Sequence, residues 1–318
     1  MTIQQIYDLG IKLGIKNDPR SEKRVEEILA KTKKNFEKLS EKEKIYFDLE
    51  TLKNPYSDSR ILFGDPKLEV KKIFAGIDAD TAEVLLIDRL NQKGANIDLL
   101  ISHHPNGSAL AALHDVMDLQ TESYAKVGVP INVMDSLMNE RMSFIMRRIH
   151  PSNHNAPVDA ARLLNVPLMA LHTIWDNIGD KFMENYLDKK SFETVGEVMD
   201  YLMEIPEYIE AKKGKNGPDI VSGSRNSRTG KIAVFFTGGT NPSKEAYLQL
   251  AKAGVGTLID MHIPEDGLDE LKKAHVNVIN AGHMASDSIG ANLFLDELEK
   301  NGIEVVTGAG LIRVKRNK

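Results

Sequence analysis

The chain has 318 residues, enough for one large or two medium-sized domains with a substantial hydrophobic core. Its hydrophobic content of 42% and charged content of 27% are ordinary for a globular protein, and its net charge of -5 does not favour nucleic acid as a partner. The absence of cysteine excludes disulfides, thiolate metal ligands and a cysteine nucleophile. No apolar run approaches the roughly 20 residues of a membrane span and the N-terminus lacks a secretory pattern, so we expect a cytoplasmic protein.

Residues 1–65 are predicted to form a charged helical N-terminal extension. Capping-box patterns begin at Thr2 and at Ser40, and each is followed by apolar residues at helical spacing. These apolar stripes indicate that the extension packs on the main body of the protein or on a neighbouring subunit.

Strands alternate with helices in residues 66–185 and again in residues 231–318, which predicts two α/β lobes with mostly parallel sheets. The predicted strands cover residues 72–77, 97–102, 168–172, 231–236, 256–260, 276–280, 303–306 and 311–314. Asp80 is a predicted helix cap, and Asn241 with Pro242 is predicted to begin another helix. Residues 186–230 contain runs rich in Gly, Ser and basic residues, so we interpret them as a connector or insertion.

Side chains that bind metal ions follow several of these strands, at the sheet edge where open α/β sheets bind ligands. The candidate metal ligands are His103, His104, Asp176, His283 and Asp287. The turn residues after His104 allow two adjacent histidines to face one site, and His283 and Asp287 are one helical turn apart. If the clusters converge, three imidazoles and two carboxylates are about right for two ions, because one structural ion normally takes four ligands.

Each cluster alone also has a simpler interpretation. A His-His pair occurs by chance, the pair His283 and Asp287 can be a cap or surface contact, and Asp176 can cap a short turn. Trp175, the only tryptophan, is favoured as a core residue over a pocket wall.

Other polar residues are weaker candidates. Asp78 and Asp80 are candidate hydrogen-bond acceptors for metal-bound histidines, although helix capping is favoured for Asp80. His150, His154 and His172 are candidates for contacts with the ligands or with a substrate. No residue is assigned as a general acid or base, and the catalytic residues stay unknown.

The segment Phe236-Thr-Gly-Gly-Thr240 joins a predicted strand to a predicted helix, and such a turn can hold a phosphate with backbone N–H groups. Because it lacks the full P-loop or dinucleotide pattern, we interpret it as a tight turn without a ligand.

Together, three motifs resemble those of the Nif-three family, also described as GTP cyclohydrolase type-two-like dinuclear metal-centre proteins. They are Ser102-His-His-Pro105, His172-Thr-Ile-Trp-Asp176 and Gly282-His-Met-Ala-Ser-Asp287, in the family's order. The resemblance covers roughly residues 70–318. The sequence departs from the family pattern at Asp287, a position where family members more often have glutamate. It implies two metal ions on His103, His104, Asp176, His283 and Asp287, with the two carboxylates as bridging candidates. It also implies ring-shaped homohexamers whose metal sites face an inner cavity.

The resemblance implies a metal-dependent hydrolase that acts on a nucleotide-like or phosphoester substrate. Nitrogen and oxygen ligands favour two divalent ions such as zinc, iron or manganese. The alternative is a non-catalytic metal-binding oligomer used in metal handling or as an interaction scaffold. In both cases we expect the protein itself as a partner, an unidentified small-molecule substrate for the enzyme, and neither membrane nor nucleic acid.

Overall fold

Nine strands and fourteen α-helices are present in the structure, a computed structural model that describes residues 1–316. The strands are β1 (Ser59–Phe63), β2 (Lys72–Gly76), β3 (Leu99–Ser102), β4 (Leu168–Leu171), β5 (Asp219–Ser222), β6 (Lys231–Phe235), β7 (Val255–Asp260), β8 (Asn277–Asn280) and β9 (Glu304–Gly308). The helices are α1 (Ile3–Lys16), α2 (Glu22–Glu37), α3 (Glu41–Lys44), α4 (Thr81–Asn91), α5 (Gly107–Ala111), α6 (Leu119–Lys126), α7 (Ile131–Ile149), α8 (Ala156–Leu164), α9 (His172–Leu187), α10 (Val195–Leu202), α11 (Pro206–Lys213), α12 (Lys244–Lys252), α13 (Glu265–Lys273) and α14 (His283–Lys300).

The first sheet has the strand order β1-β4-β3-β2-β9. Strands β2, β3, β4 and β9 are parallel, and β1 joins β4 as an antiparallel edge strand. Every residue of β3 and β4 is buried, as expected for inner strands covered by helices on both faces.

The second sheet has the strand order β5-β8-β7-β6. Strands β6, β7 and β8 are parallel, and the edge strand β5 is antiparallel to β8. The prediction of two α/β lobes with mostly parallel sheets is therefore confirmed. Strand β5 and helices α10 and α11 come from residues 186–230, which we interpreted as a connector or insertion. The predicted domain boundaries themselves stay a prediction.

The end of the chain differs from the sequence prediction in two ways. Strand β9 follows the second lobe in sequence but pairs with β2 of the first sheet. Residues 311–314 are not a strand, because the backbone of Ile312 bonds to helix α14 instead. The N–H of Ile312 donates to Ser288 Oγ at 3.0 Å, and its carbonyl accepts from Asn292 Nδ2 at 2.8 Å.

The N-terminal residues pack on the main body. Helix α1 begins with the predicted capping box at Thr2, and it buries Ile3, Ile6 and Tyr7 in the core of the first lobe. The capping box at Ser40 and the helix cap at Asp80 are also present. By contrast, α12 begins two residues after Pro242, with Ser243 as its N-cap, so the predicted start at Asn241 is wrong. The Asn241 side chain instead donates to Tyr247 Oη and to the carbonyl of His262.

Helices α9 and α14 cross at very short range and connect the two lobes. A Cβ added at Gly290 of α14 would lie 1.9 Å from the carbonyl oxygen of Trp175 in α9. Helix α9 begins directly after β4 of the first sheet, and α14 begins near the end of β8 of the second sheet. The crossing therefore brings the carboxyl ends of both sheets together.

Within residues 1–316, no helix combines the length and the apolar character that crossing a membrane requires.

Candidate metal centre

The predicted metal ligands converge where the two sheets meet. His103 and His104 follow β3, Asp176 lies in the first turns of α9, and His283 and Asp287 lie in the first turns of α14. The backbone N–H groups of the two adjacent histidines donate to the carbonyls of Gly76 and Ile77 at the end of β2. The site is therefore built on strand ends and helix starts.

One part of the cluster surrounds His103. Its Nε2 atom lies 3.2 Å from Asp176 Oδ1 and 3.5 Å from Asp287 Oδ1. Its ring also stacks on Trp175, with centroids 5.6 Å apart and planes at 6°. Trp175 is fully buried, so it fills the core as favoured from the sequence and also forms the floor under His103.

The other part surrounds His283. Its Nε2 atom lies 3.3 Å from His104 Nε2 and 3.4 Å from Asp287 Oδ2. The two oxygens of Asp287 therefore face different histidines, with Oδ1 toward His103 and Oδ2 toward His283. Asp287 therefore lies between the two parts of the cluster.

His172 also belongs to the cluster. Its Nε2 atom lies 3.9 Å from Asp176 Oδ2, and it forms a possible ligand group with His103 and His104. The other ring nitrogen, Nδ1, lies 2.8 Å from Oδ2 of the buried Asp58. His172, predicted to contact the ligands or a substrate, is thus itself placed as a ligand candidate. Asp58 is a partner that the sequence analysis missed.

His104 has the same arrangement. Its Nδ1 atom lies 2.6 Å from Oδ1 of Asp78, the residue proposed from the sequence as an acceptor for a metal-bound histidine. Carboxylates that accept from Nδ1 fix the ring orientation and leave Nε2 as the metal-binding atom. Asp80, in contrast, caps α4.

The unsatisfied atoms of the site fit a metal ion. Among the described residues, both ring nitrogens of His103 and both carboxylate oxygens of Asp287 are buried without a hydrogen-bond partner. Buried polar atoms are normally paired, because leaving them unpaired costs about 1–3 kcal/mol each. A cation held by imidazoles and carboxylates would satisfy these atoms. The His and Asp side chains can therefore hold a metal ion.

The electrostatics of the site point the same way. Burial lowers the pKa of His103, but Asp287 and Asp176 outweigh burial and raise this pKa to about 10. Burial raises the pKa of Asp287, but the neighbouring histidines, His103 first, outweigh it and lower this pKa to about 2. Burial and the charge on His103 lower the pKa of His104 to about 4. The site thus favours one positive charge between His103 and the carboxylates, and a cation would supply it.

Two predicted residues are not part of this cluster. The His150 ring lies 6.3 Å from that of His114, and His154 Nε2 lies 2.9 Å from the carbonyl oxygen of Ile149. Neither belongs to any of the possible ligand groups among the described residues. Both lie in or beside the loop after α7.

A cleft opens from the cluster toward the second lobe. It is lined by Gln120, Tyr124, His172, Asp176, Phe235, Phe236, Thr237, Gly239, Thr240, Asn241, Pro242, Asp260, Met261, His262, His283 and Asp287. The ring of His262 lies 4.5 Å from that of His283, and burial first, then His283, lowers its pKa. Sequence reasoning missed His262, although its position directly after β7 was the same kind of signal that identified the other histidines.

These features define a two-lobed α/β protein with a His/Asp cluster at the carboxyl ends of both sheets that can hold a metal ion. No protein-family model matches the sequence, and comparison with curated proteins gives no match. Solved structures do match. The chain is similar to a NIF3 superfamily protein from Sphaerobacter thermophilus, with 29% identity and a TM-score of 0.72 over 80% of this chain and 92% of that one. This similarity confirms the resemblance to the NIF3 family that the three motifs indicated.

A second solved structure, reduced HcgD from Methanocaldococcus jannaschii, has a TM-score of 0.51 at 14% identity. The match covers 85% of this chain and 97% of that chain. At this identity the likeness concerns the fold alone.

Proposed function

We propose that the protein binds two divalent metal ions and is a metal-dependent hydrolase that acts on a nucleotide-like or phosphoester substrate. The observation that carries the proposal is the position of Asp287, whose two oxygens face different histidines and are both buried without a hydrogen bond. The proposed ligands are His103, His104, Asp176, His283 and Asp287, with His172 as a further candidate. Zinc, iron and manganese all suit these nitrogen and oxygen atoms.

When bound, two such ions would supply Lewis acidity and lower the pKa of a water that attacks the substrate. Neighbouring residues of the chain orient the histidines that would bind the ions. Asp58 and Asp78 orient His172 and His104, and the stack with Trp175 orients His103. The cleft beside the cluster has a volume of about 60 Å³, which is room for a few water molecules or a small group of a substrate. Because this cleft reaches Asp176, His283 and Asp287, it supports an enzyme over a closed structural metal site.

The protein's assembly and location are proposals as well. We propose a homohexamer located in the cytoplasm, on the basis of the family resemblance and of the sequence pattern. Light scattering of the purified protein would measure the oligomer directly.

The proposed function is tested in two steps. Protein purified without chelator and reconstituted with zinc, iron or manganese should contain close to two metal equivalents by elemental analysis. The loaded protein is then screened against nucleotides and phosphoesters, with Asp287→Ala as the inactive variant and the exposed Asp266→Ala as its matched control. Metal content near zero contradicts the metal centre. Two equivalents without turnover of any compound favour the non-catalytic metal-binding oligomer instead.

A further inference from the structure

We propose that the backbone of residues 237–241, here named the glycine turn, binds the phosphate group of a substrate held at the metal centre. This inference rests on the proposed function, since it names the group that the cleft recognises. The glycine turn lies between β6 and α12 and lines the cleft that also contains Asp176, His283 and Asp287.

The first observation is a run of unpaired N–H groups. Among the described residues, none of the backbone N–H groups of residues 237–241 donates a hydrogen bond. The preceding N–H, that of Phe236, does donate, to Asp180 Oδ1 at 2.8 Å. Backbone N–H groups in folded proteins are almost always paired with protein, water or ligand. Successive backbone N–H groups in a turn can form a concavity that binds an anion.

The carbonyl groups of the glycine turn are held by two side chains. Gln120 Nε2 donates to the carbonyl oxygens of Gly238 and Thr240 at 2.6 and 2.7 Å, and Arg141 Nε donates to that of Asn241 at 3.0 Å. No cis peptide is present among the described residues, and in a trans peptide the N–H points opposite to the carbonyl. The N–H groups of Gly239 and Asn241 therefore point away from the Gln120 amide. These contacts fix the turn before any ligand binds.

The two glycines are required by this geometry. Gly238 has φ +103° and Gly239 has φ +84°, a region that favours glycine. A Cβ at Gly238 would lie 2.5 Å from Gln120 Cγ, so a side chain there would displace the residue that holds the turn. The sequence alone led us to interpret this segment as a tight turn without a ligand. The unpaired N–H groups and the shared cleft now favour an anion site.

The second observation concerns the part of the cleft wall that carries Asp287. Asp287 is 2% exposed, lines the cleft, and has no hydrogen bond to either oxygen. No lysine or arginine is among the described residues that line the cleft. Without cations the carboxylates of Asp176 and Asp287 would repel an anion at the glycine turn. If the ligands held two divalent cations, the net charge of this wall would become positive and would attract a phosphate to the glycine turn. Phosphate binding should therefore require the metals.

Thr240 offers a matched test of the glycine turn. It is partly exposed, lines the cleft, and its hydroxyl makes no hydrogen bond to the described residues. Thr240→Glu adds a negative charge beside the proposed phosphate, and Thr240→Gln adds nearly the same volume without the charge. Like charges placed together cost several kcal/mol at a binding surface. We expect Thr240→Glu to weaken binding of inorganic phosphate by at least about tenfold and Thr240→Gln to weaken it by less than about threefold.

The experiment is calorimetric titration of inorganic phosphate into the full-length, metal-loaded protein and into the metal-free protein. Metal content and circular dichroism are measured first for every variant. If Thr240→Glu does not fold, the pair Thr240→Asp and Thr240→Asn replaces it. Failure of the wild-type protein to take up metal contradicts the proposed function itself. Normal metal uptake without saturable phosphate binding, or with equal affinity in the charged and uncharged variants, overturns the anion site alone.

Discussion

The Nδ1 atom of His172 lies 2.8 Å from Oδ2 of Asp58, a carboxylate that comes 114 residues earlier and is fully buried. Asp58 also accepts a hydrogen bond from the hydroxyl of Thr173. The pair places a proton on Nδ1 of His172 and leaves Nε2 free toward Asp176. Strand β1 follows Asp58 directly, so this edge strand also supports the candidate metal centre.

The first prediction concerns this support. Asp58→Asn removes the charge that orients His172 and strengthens its Nε2 as a ligand, so metal affinity should fall by about 10–100-fold while the fold is kept. Metal titration with a competing chromophoric chelator measures the change. The exposed Asp65→Asn is the control and should bind metal like the wild type. Wild-type affinity in Asp58→Asn would remove His172 from the set of ligands.

The second prediction concerns Asp287. The two oxygens of Asp287 face different histidines. Asp287→Ala should therefore weaken the binding of both ions and lower the metal content below one equivalent per chain. Asp287→Glu keeps the carboxylate and should retain part of the binding. Asp176→Ala should mainly affect the ion beside His103 and His172. Elemental analysis after gel filtration compares the variants, and two full equivalents in Asp287→Ala would rule out its bridging role.

The third prediction concerns the crossing of α9 and α14. Gly290→Ala would place a methyl group 1.9 Å from the carbonyl of Trp175, so the helices must separate. We expect the free energy of unfolding to fall by about 3 kcal/mol or more, with loss of metal binding, because both helices carry ligands. Urea unfolding monitored by circular dichroism measures this loss.

Gly10 provides the matched control for this substitution. It also lies inside a helix, but a Cβ there would meet its nearest neighbour, Leu171 Cδ2, at 3.5 Å, an ordinary contact. Gly10→Ala should be neutral or stabilising by up to about 1 kcal/mol, since alanine favours helix over glycine. Equal stability of the two variants would mean that α9 and α14 do not pack at this distance.

The fourth prediction concerns pH. Burial, then the charge of Glu184, raises the pKa of Asp180 to about 7. In the unfolded chain an aspartate titrates near 3.9, so between about pH 4 and pH 7 the folded state binds more protons than the unfolded state. The stability of the folded state therefore falls as the pH rises through this window.

Asp180→Asn should remove this contribution. The amide oxygen can still accept from the N–H of Phe236, so the hydrogen bond is kept. The free energy of unfolding of the variant should fall less between about pH 5 and pH 7.5 than that of the wild type, by on the order of 2 kcal/mol. Urea unfolding with chelator present keeps metal binding out of the comparison. The exposed Asp188→Asn should follow the wild type, and parallel curves for Asp180→Asn would contradict the raised pKa.

The sequence predicted the parts of the site that local patterns determine. Buried apolar runs identify β3 and β8, and the histidines that follow them lie at the sheet edge where ligands bind. Two residues of the site were not predicted, for different reasons. His262 is also a histidine that follows a strand, β7, but it belongs to none of the three motifs. Asp58 carried none, because its partner His172 is brought to it only by the pairing of β1 with β4.

The order of strands was also beyond local patterns. Nothing in residues 304–308 distinguishes a strand of the second sheet from one of the first, since both would be short and apolar. The length of α14 decides the outcome, because it extends from the metal centre back to the first lobe and delivers β9 beside β2. The backbone of Ile312 then bonds to α14. The hydrophobic pattern of residues 311–314 alone predicts a strand there, because it does not show this contact.

The pairing of β9 with β2 has a consequence for how the chain is made. During synthesis, residues 72–76 emerge long before their neighbours at residues 304–308, so the first sheet has an open edge while the whole second lobe is translated. Pairings between distant segments form slowly, and an unpaired strand edge invites association with other chains. We expect nascent chains that end before residue 304 to be held by chaperones or to aggregate, and the first lobe to close only when the last strand arrives.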